Sequence, residues 1–228
     1  MTEDKIKVPF QEASADKKAW AARLDEDYVA APVHELIIPA REVTRINELE
    51  LHEEQSMWQL AMDRARNILQ EDGIKAVTFL LNDGDSAGQT VGHVHIHVLG
   101  LSDDNVIESL PEEFERLMAE HTQGDVPVPI AESAVHSTVD NIAGVTRAAR
   151  KEGCQGETDC GFSVFTHPQL TKDNIDDGVQ LTVQTWSPDE PRQYGLTNLI
   201  RVLNGYTDRP YEWHERHKHR QFEPQYEG

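Results

Sequence analysis

His93, His95 and His97 alternate with Val94, Ile96 and Val98. Alternation of period two predicts a β-strand with its apolar side buried and its three imidazoles leaving on the other side, about 6–7 Å apart in succession. Valine or threonine would pack better at three alternate strand positions, so histidine there points to chemistry. Two chemistries use such a row. Neutral imidazole is a common ligand for zinc or copper. Imidazole also attacks phosphorus and moves protons near neutral pH.

The flanks separate the two. The run His93-Val94-His95-Ile96-His97-Val98-Leu99 closely resembles the signature of the histidine-triad (HIT) family, His-x-His-x-His followed by two apolar residues. Ala87-Gly88-Gln89-Thr90-Val91 resembles that family's lead-in, where a Gly-Gln-Ser/Thr step precedes the triad. Phe79-Leu80-Leu81-Asn82-Asp83-Gly84 is similar to the family strand that ends in asparagine and enters a glycine-containing loop. Pro32-Val33-His34-Glu35-Leu36-Ile37-Ile38-Pro39 is similar to its early strand. The resemblance spans roughly residues 20–105.

The resemblance implies a role for each of these positions. His95 is the nucleophile, attacking the α-phosphorus of a nucleotide to give a nucleotidyl-histidine that water then hydrolyses. His93 holds His95 in its reactive tautomer through a hydrogen bond. His97 donates to phosphate oxygens as charge builds. Thr90 helps deliver a proton to the leaving group, and Gln89 sits near the bridging and leaving-group oxygens. Asn82 contacts the phosphate or ribose side, and His34 is a fourth, supporting histidine. A homodimer and a nucleotide substrate are also implied. Neither a cofactor nor a metal is expected.

Three features depart from the family pattern. No cysteine pair occurs near the start, so the zinc site of some members is not expected. The cluster Asp25-Glu26-Asp27 stands where the family has a ribose-binding aspartate, without a fixed register. After the triad comes Gly100-Leu101-Ser102, whereas family branches carry glycine-arginine or proline-arginine. The lead-in is closer to the dinucleoside-polyphosphate hydrolases, and Gly100 is closer to the nucleoside phosphoramidases.

The 228 residues suffice for one large or two small domains, and no run of about 18 apolar residues predicts a membrane span. Met1–Gln11 is charged and reads as no signal peptide. Cys154 and Cys160 read as reduced thiols of a cytoplasmic protein. The net charge of −20 disfavours non-specific nucleic acid and anionic membrane as partners. Any phosphate must then be attracted locally, by imidazoles and backbone N–H groups.

The elements that must position these residues follow from periodicity. Val33–Ile38, Lys75–Leu81 and Thr90–Leu99 read as strands. Leu51–Glu71 reads as a helix with Met57, Leu60, Ala61, Ala65, Ile68 and Leu69 on one stripe. Residues 1–19 read as a loose polar arm, with a short helix over Ala13–Ala22. Residues 20–122 form a HIT-like α+β domain, an antiparallel sheet with a packed helix. Residues 123–228 form a C-terminal α+β extension of unknown role, with a helix near Ser137–Lys151 and strands at Phe162–Phe165 and Val179–Thr185. A helix is expected within Asp103–His121 and another over Tyr194–Leu203. Tyr211, Trp213 and the run His214-Glu215-Arg216-His217-Lys218-His219-Arg220 read as a solvated tail or as an arm over bound nucleotide.

The reading is a nucleotidyl hydrolase or transferase cleaving a dinucleoside polyphosphate or nucleoside phosphoramidate. One alternative is a non-catalytic nucleotide-binding or sensing module with partner contacts through the C-terminal half. A metal-dependent hydrolase on the three histidines is a third.

Overall fold

A computed structural model describes residues 6–24, 29–102, 128–167, 169–189, 197, 200–201 and 222–225. Nine strands form one sheet: β1 (Ile6–Ala13), β2 (Ala19–Arg23), β3 (Val33–Pro39), β4 (Ala76–Asp83), β5 (Ile96–Leu101), β6 (Ala131–Ser137), β7 (Gly161–Thr166), β8 (Val179–Trp186) and β9 (Phe222–Gln225). Their order is β6-β8-β7-β4-β5-β3-β2-β1-β9, with every pair antiparallel except β1 and β9. Helices α1 (Leu51–Ile68) and α2 (Ile142–Gly153) pack on one face. The expected α+β class is therefore correct, and four strands from beyond residue 122 join the same sheet, β6, β7 and β8 beside β4 and β9 beside β1.

Side-chain alternation sorts the sheet into two faces. Ile37, Val77, Phe79, Leu81, Ile96, Val98, Phe162 and Val164 point toward the helices and share a core with Met57, Trp58, Ala61, Met62, Ala65 and Ile68 of α1. His34, Leu36, Leu80, Asn82 and His97 take the opposite face. Burial of this interdigitated apolar layer supplies the main drive for folding, at about 25 cal/mol per Å² removed from water. Buried carboxylates tie the layers together. Glu35, behind His34 on β3, accepts from Arg64 of α1 at 2.7 Å and from Arg23 of β2 at 3.0 Å. Glu54 of α1 pairs with Arg147 of α2 and accepts from Thr146 at 3.2 Å.

Helix α1 starts at a capping box, in which the Glu50 N–H donates to the Glu53 carboxylate at 2.8 Å. Its regular turns stop at Ile68, and irregular turns carry the chain to Gly73, whose φ of +82° suits glycine.

Four readings need correction. Ala13–Ala22 forms no helix: β1 ends at Ala13, and β2 begins at Ala19 after a turn held by the Ser14 hydroxyl, which accepts from Ala19 N–H at 2.9 Å. The residues read as a loose arm therefore supply strand β1 from Ile6 onward. The triad strand begins at Ile96, not Thr90, because Val94 N–H turns aside to donate to the Val43 carbonyl at 3.0 Å. Cys154 and Cys160, with Cα atoms 6.0 Å apart, are joined as a disulfide and are not free thiols. Asp25–Asp27, the helix expected in Asp103–His121 and the tail 211–220 lie outside the described residues. Of Tyr194–Leu203, residues 197, 200 and 201 are described and helical.

Candidate active site

Strand β5 is central, flanked by β3 and β4, and the register sets His97 opposite Leu36 on one side and Leu80 on the other. His34 stands two residues before Leu36 and so shares the face of His97. His95 and Asn82 each lie one step beyond the Leu81–Ile96 pair, bringing Asn82 level with His95. The three apolar partners, Val94, Ile96 and Val98, are wholly buried in the helix-side core.

The imidazoles meet in a chain. His34 Nε2 is 2.9 Å from His97 Nδ1, and His97 Nε2 is 3.1 Å from His95 Nε2. Both ends of the chain terminate on backbone. Ala30 N–H donates to His34 Nδ1 at 3.0 Å, and His95 Nδ1 lies 2.7 Å from the His93 carbonyl oxygen. These ends fix every proton. A backbone N–H can only donate, so His34 Nδ1 accepts and its Nε2–H donates to His97 Nδ1. The His97 proton is then on Nε2 and donates to His95 Nε2. The His95 proton is left on Nδ1, where a carbonyl oxygen accepts it. His95 Nε2 carries a lone pair.

Burial keeps the rings neutral, as this pattern requires. His95 is 5% exposed, and desolvation lowers its pKa to about 4, against the opposing hydrogen bond to the His93 backbone. Desolvation also pushes His97 well below the ordinary histidine range, helped by the charges of His95 and His34.

His93 departs from the straight row. Its imidazole lies against the backbone of Pro39 and Arg41, and its Nε2 is buried without a hydrogen bond among the described residues. Its main-chain carbonyl is the group that reaches His95. The bend that shortens β5 frees that carbonyl from the sheet.

The other expected residues divide. Asn82 is buried; its Nδ2 donates to Thr197 Oγ1 at 3.3 Å, while its Oδ1 has no partner among the described residues. Gln89 is committed to its own loop. Its Oε1 accepts from Gly84 N–H at 2.6 Å, and its Nε2 donates to the carbonyls of Val91 at 2.7 Å and Thr44 at 3.1 Å. Half-buried Thr90 and Gln89 line a cleft of about 400 Å³ together with Thr44, Gly84 and Gly92.

The loop after β4 is anchored from the helix face. Buried Asp83 accepts from Arg45 Nε at 2.6 Å, and Arg45 Nη2 donates to the Cys160 carbonyl at 2.7 Å. Gly84, at φ +91°, leaves room for that guanidinium, since a Cβ there would lie 2.8 Å from Arg45 Cζ.

Sequence reasoning missed several groups. Thr197 meets Asn82, and Arg201 donates to the Val29 carbonyl beside the Ala30–His34 contact. Both come from the C-terminal half, where no motif marked them. The main-chain partners at Ala30 and His93 have no side-chain signal at all.

Comparison with known proteins places this geometry among relatives. The HIT domain family model matches residues 15–104. Over 72 residues the chain is 42% identical to a bis(5'-adenosyl)-triphosphatase of Dictyostelium discoideum, a match covering 30% of this chain and 46% of that protein. Over 83 residues it is 35% identical to an uncharacterized HIT-like protein of Chlamydia trachomatis serovar D, covering 34% of this chain and 69% of that protein. The chain spans about half the length of the first curated relatives it matches. The fold is similar to that of an ADP-glucose phosphorylase from Arabidopsis thaliana, with a TM-score of 0.55 at 13% identity over 86% of this chain and 85% of that one.

Proposed function

The chain belongs to the histidine-triad (HIT) family, and from that membership we propose that it is a nucleotide hydrolase or nucleotidyltransferase acting through a covalent nucleotidyl-His95 intermediate. The observation that carries the reading is the polarity of the imidazole chain, which leaves a lone pair on His95 Nε2. In the first step that lone pair forms a bond to the α-phosphorus of the substrate. The bond from phosphorus to the leaving group breaks, and the leaving group departs with its electron pair and takes up a proton. As the N–P bond forms, the His95 ring becomes cationic. Its Nδ1–H then donates more strongly to the His93 carbonyl, which favours the charged product of the step. His97, released from His95 Nε2 by the incoming phosphoryl group, turns its N–H toward a phosphoryl oxygen. Water attacks phosphorus in the second step, the N–P bond breaks and the nucleotide leaves with the added oxygen.

Asn82 Oδ1 is a buried acceptor without a partner among the described residues, which supports the ribose side for its contact, because a ribose hydroxyl donates and a phosphate oxygen does not. Gln89 acts by holding the Gly84–Val91 loop, and Thr90 lines the cleft for the leaving group. The substrate is a dinucleoside polyphosphate or a nucleoside phosphoramidate, and the relative named a bis(5'-adenosyl)-triphosphatase makes bis(5'-adenosyl) triphosphate the first compound to assay. Hydrolysis of it, or of adenosine 5'-phosphoramidate, should fall about 10⁴-fold in His95→Ala. Unchanged turnover would overturn the reading.

A further inference from the structure

The helix face holds a second, basic cavity that this mechanism does not use. Asp83 and Phe162 are register partners on β4 and β7, and α2 lies over them. The Arg150 guanidinium sits 5.7 Å from the centre of the Phe162 ring and 3.9 Å from Asp83 Oδ2. The other Asp83 oxygen is taken by Arg45 at 2.6 Å, and Arg147 is paired with Glu54. Three guanidiniums, Arg45, Arg147 and Arg150, thus face two buried carboxylates, Glu54 and Asp83. Arg150 is 9% exposed and donates no hydrogen bond among the described residues. A buried cation that is only partly paired is costly, and an anion would complete it.

A cavity of about 260 Å³ opens at this point, with Asn47, Arg147, Arg150, Lys151, Thr158 and Phe162 in its lining. Apart from the paired Glu54, its one carboxylate is that of Glu157, which is exposed. On a chain of net charge −20, three cations around one cavity run against the overall field. The cavity is on the far side of the sheet from His34 and His97.

We propose that this cavity is a binding site for the phosphate monoester head of a small organic anion. Arg150 and Lys151 pair with the phosphate, Thr158 and Asn47 supply neutral polar contacts, and buried Phe162 forms the floor on which the Arg150 guanidinium rests. The site stands independently of the histidine chemistry.

Phenyl phosphate, titrated into the ¹⁵N-labelled full chain and followed by NMR, tests the proposal. The backbone amides of Gly156, Thr158 and Phe162 should shift together and saturate. Lys151→Glu, an exposed position that should not disturb folding, should weaken that response at least ten-fold, as should Arg150→Gln if it folds. His95→Ala should leave it intact, which separates this site from the proposed nucleotide site. Benzyl alcohol, lacking the charge, should move none of these amides. The proposal fails if the amides do not respond, if they respond equally in Lys151→Glu, or if benzyl alcohol moves them as far.

Discussion

His34 Nε2 lies 2.9 Å from His97 Nδ1, and this contact sets the direction of the hydrogen-bond chain that ends at His95. Because Ala30 N–H already occupies His34 Nδ1, the His34 ring has one proton to give and gives it to His97. His97 must then carry its own proton on Nε2, facing His95. A residue on β3, 61 positions before His95, thereby agrees with the His93 carbonyl in leaving the lone pair on His95 Nε2.

Under the proposed mechanism His34 is a positioning residue. His34→Ala should reduce kcat about 10²-fold while changing KM little, since the general acid–base part of such a step is typically worth 10² or more. His34→Gln, which keeps an N–H donor, should recover part of the loss. A purely structural role would instead give equal kcat in the two variants once their stabilities are matched, and no change in the pH–rate profile.

The buried imidazoles make stability depend on acid. The folded pKa of His95 is depressed to about 4, so unfolding releases a ring that binds protons more readily. Its contribution is fully present above the unfolded pKa near 6.5 and is lost as pH falls from about 6.5 toward 4, by on the order of 3 kcal/mol. Urea unfolding followed across that range should show the decline, and His95→Asn should flatten it. Parallel curves for the two proteins would contradict the assignment.

Asp83 holds two guanidiniums in the helix-side layer and anchors the loop that carries Gln89. Asp83→Ala should cost about 3–5 kcal/mol, because it leaves the buried Arg150 and the partly buried Arg45 without their shared carboxylate. Chemical denaturation measures this directly, and a cost below about 1 kcal/mol would show that the pair is not what holds the loop.

Gly84 should tolerate no side chain. At φ +91° an L-residue is strained, and a Cβ would meet the Arg45 guanidinium at 2.8 Å. Gly84→Ala should cost about 1–3 kcal/mol and lower activity, through displacement of Arg45 and of the Gln89 contact. An alanine variant with native stability would overturn this account of the turn.

Where side-chain type and period carried the information, the sequence was legible. Val94, Ile96 and Val98 announced a buried side, and all three are in the core. The stripe on α1 located its packed face. The site was legible as a set of residue types, and the structure brings His34, His95 and His97 into one chain. What escaped was set by the main chain. The Val94–Val43 hydrogen bond bends the triad, and the His93 carbonyl takes the part expected of a side chain. Thr197 and Arg201 reach the site from distant sequence with no local pattern to mark them. The pairing of Cys154 with Cys160 depends on how α2 meets β7, which a six-residue spacing does not reveal.

Covalent attachment of nucleotide to His95 is the central claim, and intact-protein mass spectrometry tests it most directly. Protein mixed briefly with bis(5'-adenosyl) triphosphate or adenosine 5'-phosphoramidate should gain one adenylyl group in the wild type and none in His95→Ala. An adduct that persists in His95→Ala, or tight nucleotide binding by the wild type with neither adduct nor turnover, would contradict it.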